Sequence, residues 1–265
     1  MDERWRADLA LWGIPDEIAA RARTDPWGHS PARFAERTER ALAEAEGPTL
    51  RRIAEALPRG GSVLDVGAGT GAASLPLAAS LGELVAVDTS DGMLAELESR
   101  AAELGVPVRV VRGRWPDVAA VTPAADVVVS AHVVYNVPDL AALLAELSGH
   151  ARRRVVLELT ERHPMSWLNP LWAHFHGLVR PERPTVHDVI AVAEALGHQV
   201  RHEARLAPLT RFATLEELAE SACRRLCLDR ERAGEVVAAA VALDMWPLPR
   251  DRWFTLWWDS ERESR

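Results

Sequence analysis

The nine residues Val63-Leu64-Asp65-Val66-Gly67-Ala68-Gly69-Thr70-Gly71 constrain the fold of this chain more than any other segment. An apolar strand runs into three glycines at alternate positions, which let the backbone turn sharply and pass close to a ligand. Downstream, short valine-rich runs alternate with helix-length segments, the pattern of βαβ units and a parallel sheet. Strands are predicted at Ser62–Val66, Glu83–Asp88, Val106–Arg112, Ala125–Ser130 and Arg154–Thr160, with helices at Gly71–Ser80, Gly92–Leu104 and Leu140–Ala151. A sixth strand is predicted at Gln199–Leu206, after a helix at Val186–Leu196, and a seventh at Arg252–Trp258.

The rest of the chain decorates this core. Residues 1–57 read as an N-terminal helical cap punctuated by Pro15, Pro26 and Pro31, ahead of a main domain at 58–265. Glu161–Pro184 is proline-rich and long for a plain connection, so an inserted lid is expected at about 161–185. A second insertion, at about 212–247, carries two helices. The segment Asp25–Pro31 is expected either to close over a bound ligand or to cover the sheet.

Composition removes several function classes. All 31 positions counted as lysine or arginine are arginine. A P-loop ATPase, a kinase-type phosphate clamp and a lysine Schiff base each need a lysine amine at the reacting centre, so their usual forms are excluded. With a formal net charge of −8 and no basic run longer than Arg152-Arg153-Arg154, the chain lacks the positive field of a nucleic-acid binder. Cys223 and Cys227 stand four apart in a helical pattern, as small buried side chains and not as a metal pair. No apolar run reaches membrane-spanning length and no N-terminal stretch has the order of a secretory signal. A cytoplasmic protein without a membrane partner is expected.

The glycine loop alone leaves two cofactors open. Because Ala72 follows Gly71, the string also satisfies G-x-G-x-x-A, with an acid about twenty residues on at Asp88, as in nicotinamide-dinucleotide domains. Asp65 separates the two, since a dinucleotide strand carries an apolar residue there and a carboxylate suits a ligand with an ammonium group. With Asp65, Gly67, Gly69 and Gly71 the segment resembles the first motif of the class I S-adenosylmethionine-dependent methyltransferases. That resemblance implies a loop around the methionine part of S-adenosylmethionine, with S-adenosylhomocysteine as product. It also implies an α/β, Rossmann-like fold whose seven-stranded mixed sheet has its seventh strand antiparallel.

The resemblance continues at Leu84-Val85-Ala86-Val87-Asp88, where the family's second strand ends in an acid that binds both ribose hydroxyls, followed here by Thr89 and Met93. A carboxylate accepting two hydroxyl hydrogen bonds is a geometrically specific contact. The third segment departs from the family, reading Gly113-Arg114-Trp115 where Gly-Asp is usual. Arginine cannot accept from the adenine amino group, so adenine is expected to rest on backbone groups and Trp115, with Asp117 as a substitute acceptor.

After the fourth strand, Ser130-Ala131-His132-Val133-Val134-Tyr135 resembles the segment lining the transfer site. This implies that Ser130 and His132 lie near the sulfonium and that Tyr135 faces the acceptor. A hydroxyl or amine acceptor needs a base, for which His132 is the candidate, with His174 and His176 in the lid as others. Trp172 would add an aromatic wall for a small organic molecule. His174 and His176 are two apart and do not share a helix face, so no metal site is expected.

The function expected is methyl transfer to an O, N or carboxylate acceptor on a small molecule. A nicotinamide-dependent oxidoreductase, here without a Tyr-Lys pair, and a non-catalytic S-adenosylmethionine-binding protein are the alternatives. The oligomeric state is not legible from the residues.

Overall fold

In the computed structural model, which describes residues 2–28 and 31–260, the valine-rich runs pair into a seven-stranded sheet. Its strands are β1 (Gly61–Val66), β2 (Leu81–Asp88), β3 (Val108–Arg112), β4 (Ala125–Ala131), β5 (Ala151–Thr160), β6 (Arg201–Leu206) and β7 (Arg252–Asp259). Their order is β3-β2-β1-β4-β5-β7-β6, parallel throughout except for β7, which runs antiparallel between β5 and β6. The chain leaves β1 for β2 on one side and returns to β4 on the other. This switch point is where open α/β sheets bind ligands, at the C-terminal ends of the strands.

The helices are α1 (Asp2–Ala10), α2 (Asp16–Ala19), α3 (Pro31–Glu44), α4 (Pro48–Ala56), α5 (Asp91–Glu103), α6 (Leu140–His150), α7 (Asn169–His176), α8 (Val186–Ala195), α9 (Leu215–Arg225) and α10 (Ala233–Ala242). The strands read as continuous apolar runs because both sheet faces are covered. Leu64, Val66, Val128 and Leu157 pack beneath the α6 and α8 side, while Val63, Val127, Val129 and Val156 share a core with Ile53 of α4 and Leu97 of α5.

Helix α6 shows how local sequence fixes this packing. Asp139 caps it by accepting from the Ala142 amide at 3.0 Å. Leu140, Leu143, Leu144 and Leu147, at helical spacing, are 0% exposed, and burying each side chain contributes about 1.5–3 kcal/mol. The N-terminal segment docks at the start of the same helix, where the Ala141 amide donates to Asp2 at 3.0 Å, and Trp5 Nε1 donates to the Val137 carbonyl just before it at 2.9 Å.

Two sequence expectations change. Gly71–Ser80 is not an α-helix; only a 3₁₀ turn forms, at Leu75–Ser80. Pro76 has no amide to continue an α-helical ladder, and the Ser74 hydroxyl is committed to Asp65. The lid is also less irregular than its prolines suggest, since α7 forms within it and ends at Gly177 in the left-handed conformation. It packs with α2, α9 and α10 into a helical layer whose core includes Ile18, Leu171, Trp172, Leu218 and Val236. Cys223 and Cys227 are free and buried in that core. No helix among the described residues is long and apolar enough to cross a membrane.

Candidate functional site

The loop after β1 folds back on the end of β2. The Gly67 and Ala68 amides donate to the Val87 carbonyl at 2.8 and 3.0 Å. The Asp88 carboxylate accepts from the Gly69 and Ser90 amides, both at 2.9 Å. Gly67 has φ +72°, and a Cβ there would lie 2.2 Å from Cγ2 of Val133, so only glycine lets the loop pass under the β4 turn. Gly67→Ala is expected to cost about 1–3 kcal/mol, read as a lower urea midpoint.

Asp65 is the unusual group of this loop. Its side chain is 1% exposed. One carboxylate oxygen accepts from the Ser74 hydroxyl at 2.7 Å, while Oδ1 is buried without a partner. Burial pushes its pKa up to about 7, with Ser74 opposing and the Asp88 charge adding to the rise. A buried, half-satisfied carboxylate fits an incoming ammonium, so the residues present fit the aminoacyl end of S-adenosylmethionine.

Helix α3 covers the loop. The Thr38 hydroxyl is 2.6 Å from that of Thr70, and Thr70 Oγ1 donates to the Phe34 carbonyl at 3.0 Å. The Phe34 ring lies over Gly69, where a Cβ would meet it at 3.2 Å. The expectation that residues 25–31 close over the ligand or cover the sheet falls partly on His29 and Ser30, which lie outside the described residues.

A second polar centre lies at the ends of β4 and β5. His132 has φ +60°, a conformation costing a non-glycine residue about 1–3 kcal/mol. The surrounding contacts hold it there. Its amide donates to the Glu158 carbonyl at 2.6 Å, and its ring lies edge-on to Trp253, with centroids 4.7 Å apart. His132 Nε2 lies 3.2 Å from Glu158 Oε1.

Glu158 is 7% exposed. It also accepts from Thr49 at 2.7 Å and from Arg37 and Arg205, each at 3.4 Å. Burial would raise its pKa, but His132, Arg37 and Thr49 together hold it at about 2. An ionised carboxylate only accepts, so Nε2 carries the imidazole proton and Nδ1 is the basic nitrogen. Burial and then the Arg37 charge push the His132 pKa below the ordinary 6.5, so the ring is neutral at physiological pH.

The structure thus brings Asp65, Gly67, Gly69 and Asp88 into one loop cluster, with Gly71 closing the turn and His132 across the switch point. Ser130 is buried and its hydroxyl donates to the Val66 carbonyl at 2.9 Å. Met93 is buried near the start of α5, Thr89 is exposed, and Arg114 points to solvent. Trp115 is 4% exposed in the core, edge-on to His150 at 4.8 Å.

The sole tyrosine, Tyr135, is stacked on Trp5, and its hydroxyl donates to the Thr160 carbonyl at 2.8 Å. Trp172 is buried under Arg180 in the added helical layer. In the same layer, His174 is exposed beside Phe175 and His176 Nε2 donates to the Leu226 carbonyl. Among the described residues no group of three or more potential ligands could hold a metal ion.

Sequence reasoning missed Glu158, Arg37, Thr49 and Arg205. The one available signal was a lone acid in the apolar run Val155-Val156-Leu157-Glu158-Leu159.

Residues 63–154 match a family described as a methyltransferase domain. The chain is 36% identical over 119 residues to a probable cobalt-precorrin-6B C(15)-methyltransferase (decarboxylating) of Pyrobaculum calidifontis, spanning 43% of this chain and 53% of that protein. It is 35% identical over 154 residues to a ubiquinone biosynthesis O-methyltransferase of Paramagnetospirillum magneticum, spanning 53% and 58%. The chain therefore matches little more than half the length of these relatives.

The fold is shared with a SAM dependent methyltransferase from Aquifex aeolicus, with a TM-score of 0.51 and 16% identity over 88% of this chain and 99% of that one. The matched domain and the antiparallel β7, which a dinucleotide domain lacks, overturn the nicotinamide alternative. The glycine loop with Asp65, the acid ending β2, the sheet order and these matches agree: residues 63–154 form a methyltransferase domain within a chain that has the class I S-adenosylmethionine-dependent methyltransferase fold.

Proposed function

We propose that this chain transfers the methyl group of S-adenosylmethionine to an oxygen or nitrogen of a small organic molecule, with His132 taking the acceptor's proton. The observation carrying this reading is the His132–Glu158 pair, which fixes the tautomer and leaves Nδ1 unprotonated at the end of β4. Asp65 would hold the ammonium and Asp88 the ribose hydroxyls. When bound, the cofactor supplies a methyl group on a sulfonium leaving group. Glu158 orients the ring and stabilises the imidazolium that forms when Nδ1 accepts the proton. A carboxylate acceptor needs no base and leaves the strained His132 backbone without a purpose. The relative named as an O-methyltransferase is in keeping with an oxygen acceptor.

His132→Gln is expected to lower kcat by about 100- to 10,000-fold while S-adenosylhomocysteine affinity stays unchanged. The assay follows labelled methyl from S-adenosylmethionine into phenol, alcohol and amine acceptors. With both substrates saturating, so that Asp65 is already ionised against the cofactor, the wild-type kcat should stay flat through neutrality and fall only below the ordinary histidine range, because the imidazole pKa is lowered. Full activity in the His132→Gln variant, or no labelled product from any acceptor with the wild type, overturns the assignment.

A further inference from the structure

A cleft between the N-terminal segment and the helical layer is lined by Trp12, Trp27, Met165, Trp172, Arg180 and Arg225 among other residues, none of them acidic. Arg180 is 9% exposed. Its Nη1 donates to the Leu11 and Gly13 carbonyls at 3.1 and 2.8 Å, which ties the chain after α1 to the layer. Its guanidinium lies 4.1 Å from the Trp172 ring centroid. No carboxylate pairs with it among the described residues, and its Nε is buried with no acceptor. A buried cation whose partners are carbonyls and an aromatic face has no counter-charge, and an anion supplies it.

The walls specify the rest of the ligand. Trp12 and Trp172 are each 4% exposed and present aromatic surface beside the guanidinium. The other side of Trp12 stacks on His163 at 3.8 Å, and His163 lines a neighbouring polar cleft of about 90 Å³ with Thr160 at the end of β5. The stacked Trp12–His163 pair is thus a wall shared by the two clefts, which sets the aromatic cleft one ring pair away from the end of β5. The aromatic cleft is narrow, about 10 Å³, the room of one water. Trp27, 43% exposed, forms the outer wall, so a ring enters this cleft only with a shift of that side chain.

We infer that this cleft binds the methyl acceptor through a planar, carboxylate-bearing group, the carboxylate on Arg180 and the ring among the tryptophans. The identity of the ligand as acceptor rests on the proposed methyl transfer, whereas the preference for a planar anion does not.

The test is calorimetric titration of the full chain with benzoate and with its neutral analogue benzamide, without cofactor and again with S-adenosylhomocysteine present. Benzoate is expected to bind at least about tenfold more tightly than benzamide. Arg180→Gln should remove that difference while leaving S-adenosylhomocysteine affinity unchanged. Because Arg180 also ties down the segment after α1, Trp27→Ala serves as a second variant on the exposed wall, with benzoate affinity expected to fall several-fold. Equal affinities for benzoate and benzamide, no benzoate binding, or benzoate binding untouched in both variants overturns the inference. Failure of S-adenosylhomocysteine to bind counts against the methyl-transfer reading, and the cofactor-free titration still decides the cleft.

Discussion

Asp65→Asn is expected to stabilise the ligand-free protein at alkaline pH while abolishing S-adenosylhomocysteine binding. In the folded chain burial holds the Asp65 carboxyl at about 7, against 3.8 when exposed. The fold therefore favours the protonated form. The stability this group contributes is complete below about pH 4 and is lost as pH rises through 7. Above that, the wild type carries a buried carboxylate with one orphaned oxygen. The gap of about three pH units sets an upper bound of about 4 kcal/mol.

Asparagine keeps an acceptor for Ser74 and carries no charge, so most of that cost disappears. Urea denaturation should show the variant more stable by about 2–4 kcal/mol at pH 8, with the difference vanishing near pH 4. The same neutral amide gives an ammonium nothing to pair with. A gain in stability with a loss of binding is the signature of a group held for a ligand and not for the fold.

Glu158→Gln should act in the opposite direction. Arg37, Arg205, Thr49 and His132 converge on this carboxylate, and removing its charge leaves two guanidiniums facing each other. Breaking a buried pair from one side costs about 3–5 kcal/mol. The lower end is expected, because the Arg37 and Arg205 side chains are 35% and 30% exposed and keep some solvent. Since the carboxyl is held at about 2, its contribution is complete above the ordinary 4.5 and is lost as pH falls through 2. The difference between wild type and variant should therefore persist at neutral pH and shrink only in strong acid. Catalysis should fall with it, because the tautomer of His132 is no longer fixed.

The parts legible in the sequence share a physical reason. The strands were readable because both faces of a parallel sheet must be apolar, and the glycine loop because no other residue can pass beneath Val133. Asp65 was legible as an acid in an apolar strand. The helix expected at Gly71–Ser80 was not realised, since propensity counts its alanines and misses Ser74 turning to Asp65.

The polar cluster around Glu158 was nearly invisible. Arg37, Thr49, Glu158 and Arg205 are far apart in the chain and meet only when α3, α4, β5 and β6 pack together. Arginine in a chain so rich in it carries no local signal. Trp115 shows the converse, since a side chain expected at an open adenine site is committed to the core beside His150.

The most direct test of the site is calorimetric titration of the wild-type chain with S-adenosylhomocysteine near pH 7, in buffers of different ionisation heat. Because Asp65 is about half protonated there and must ionise to meet the ammonium, binding should release about half a proton. Tight binding with that release confirms a cofactor site centred on Asp65. No binding, or binding with no proton exchanged, would contradict it.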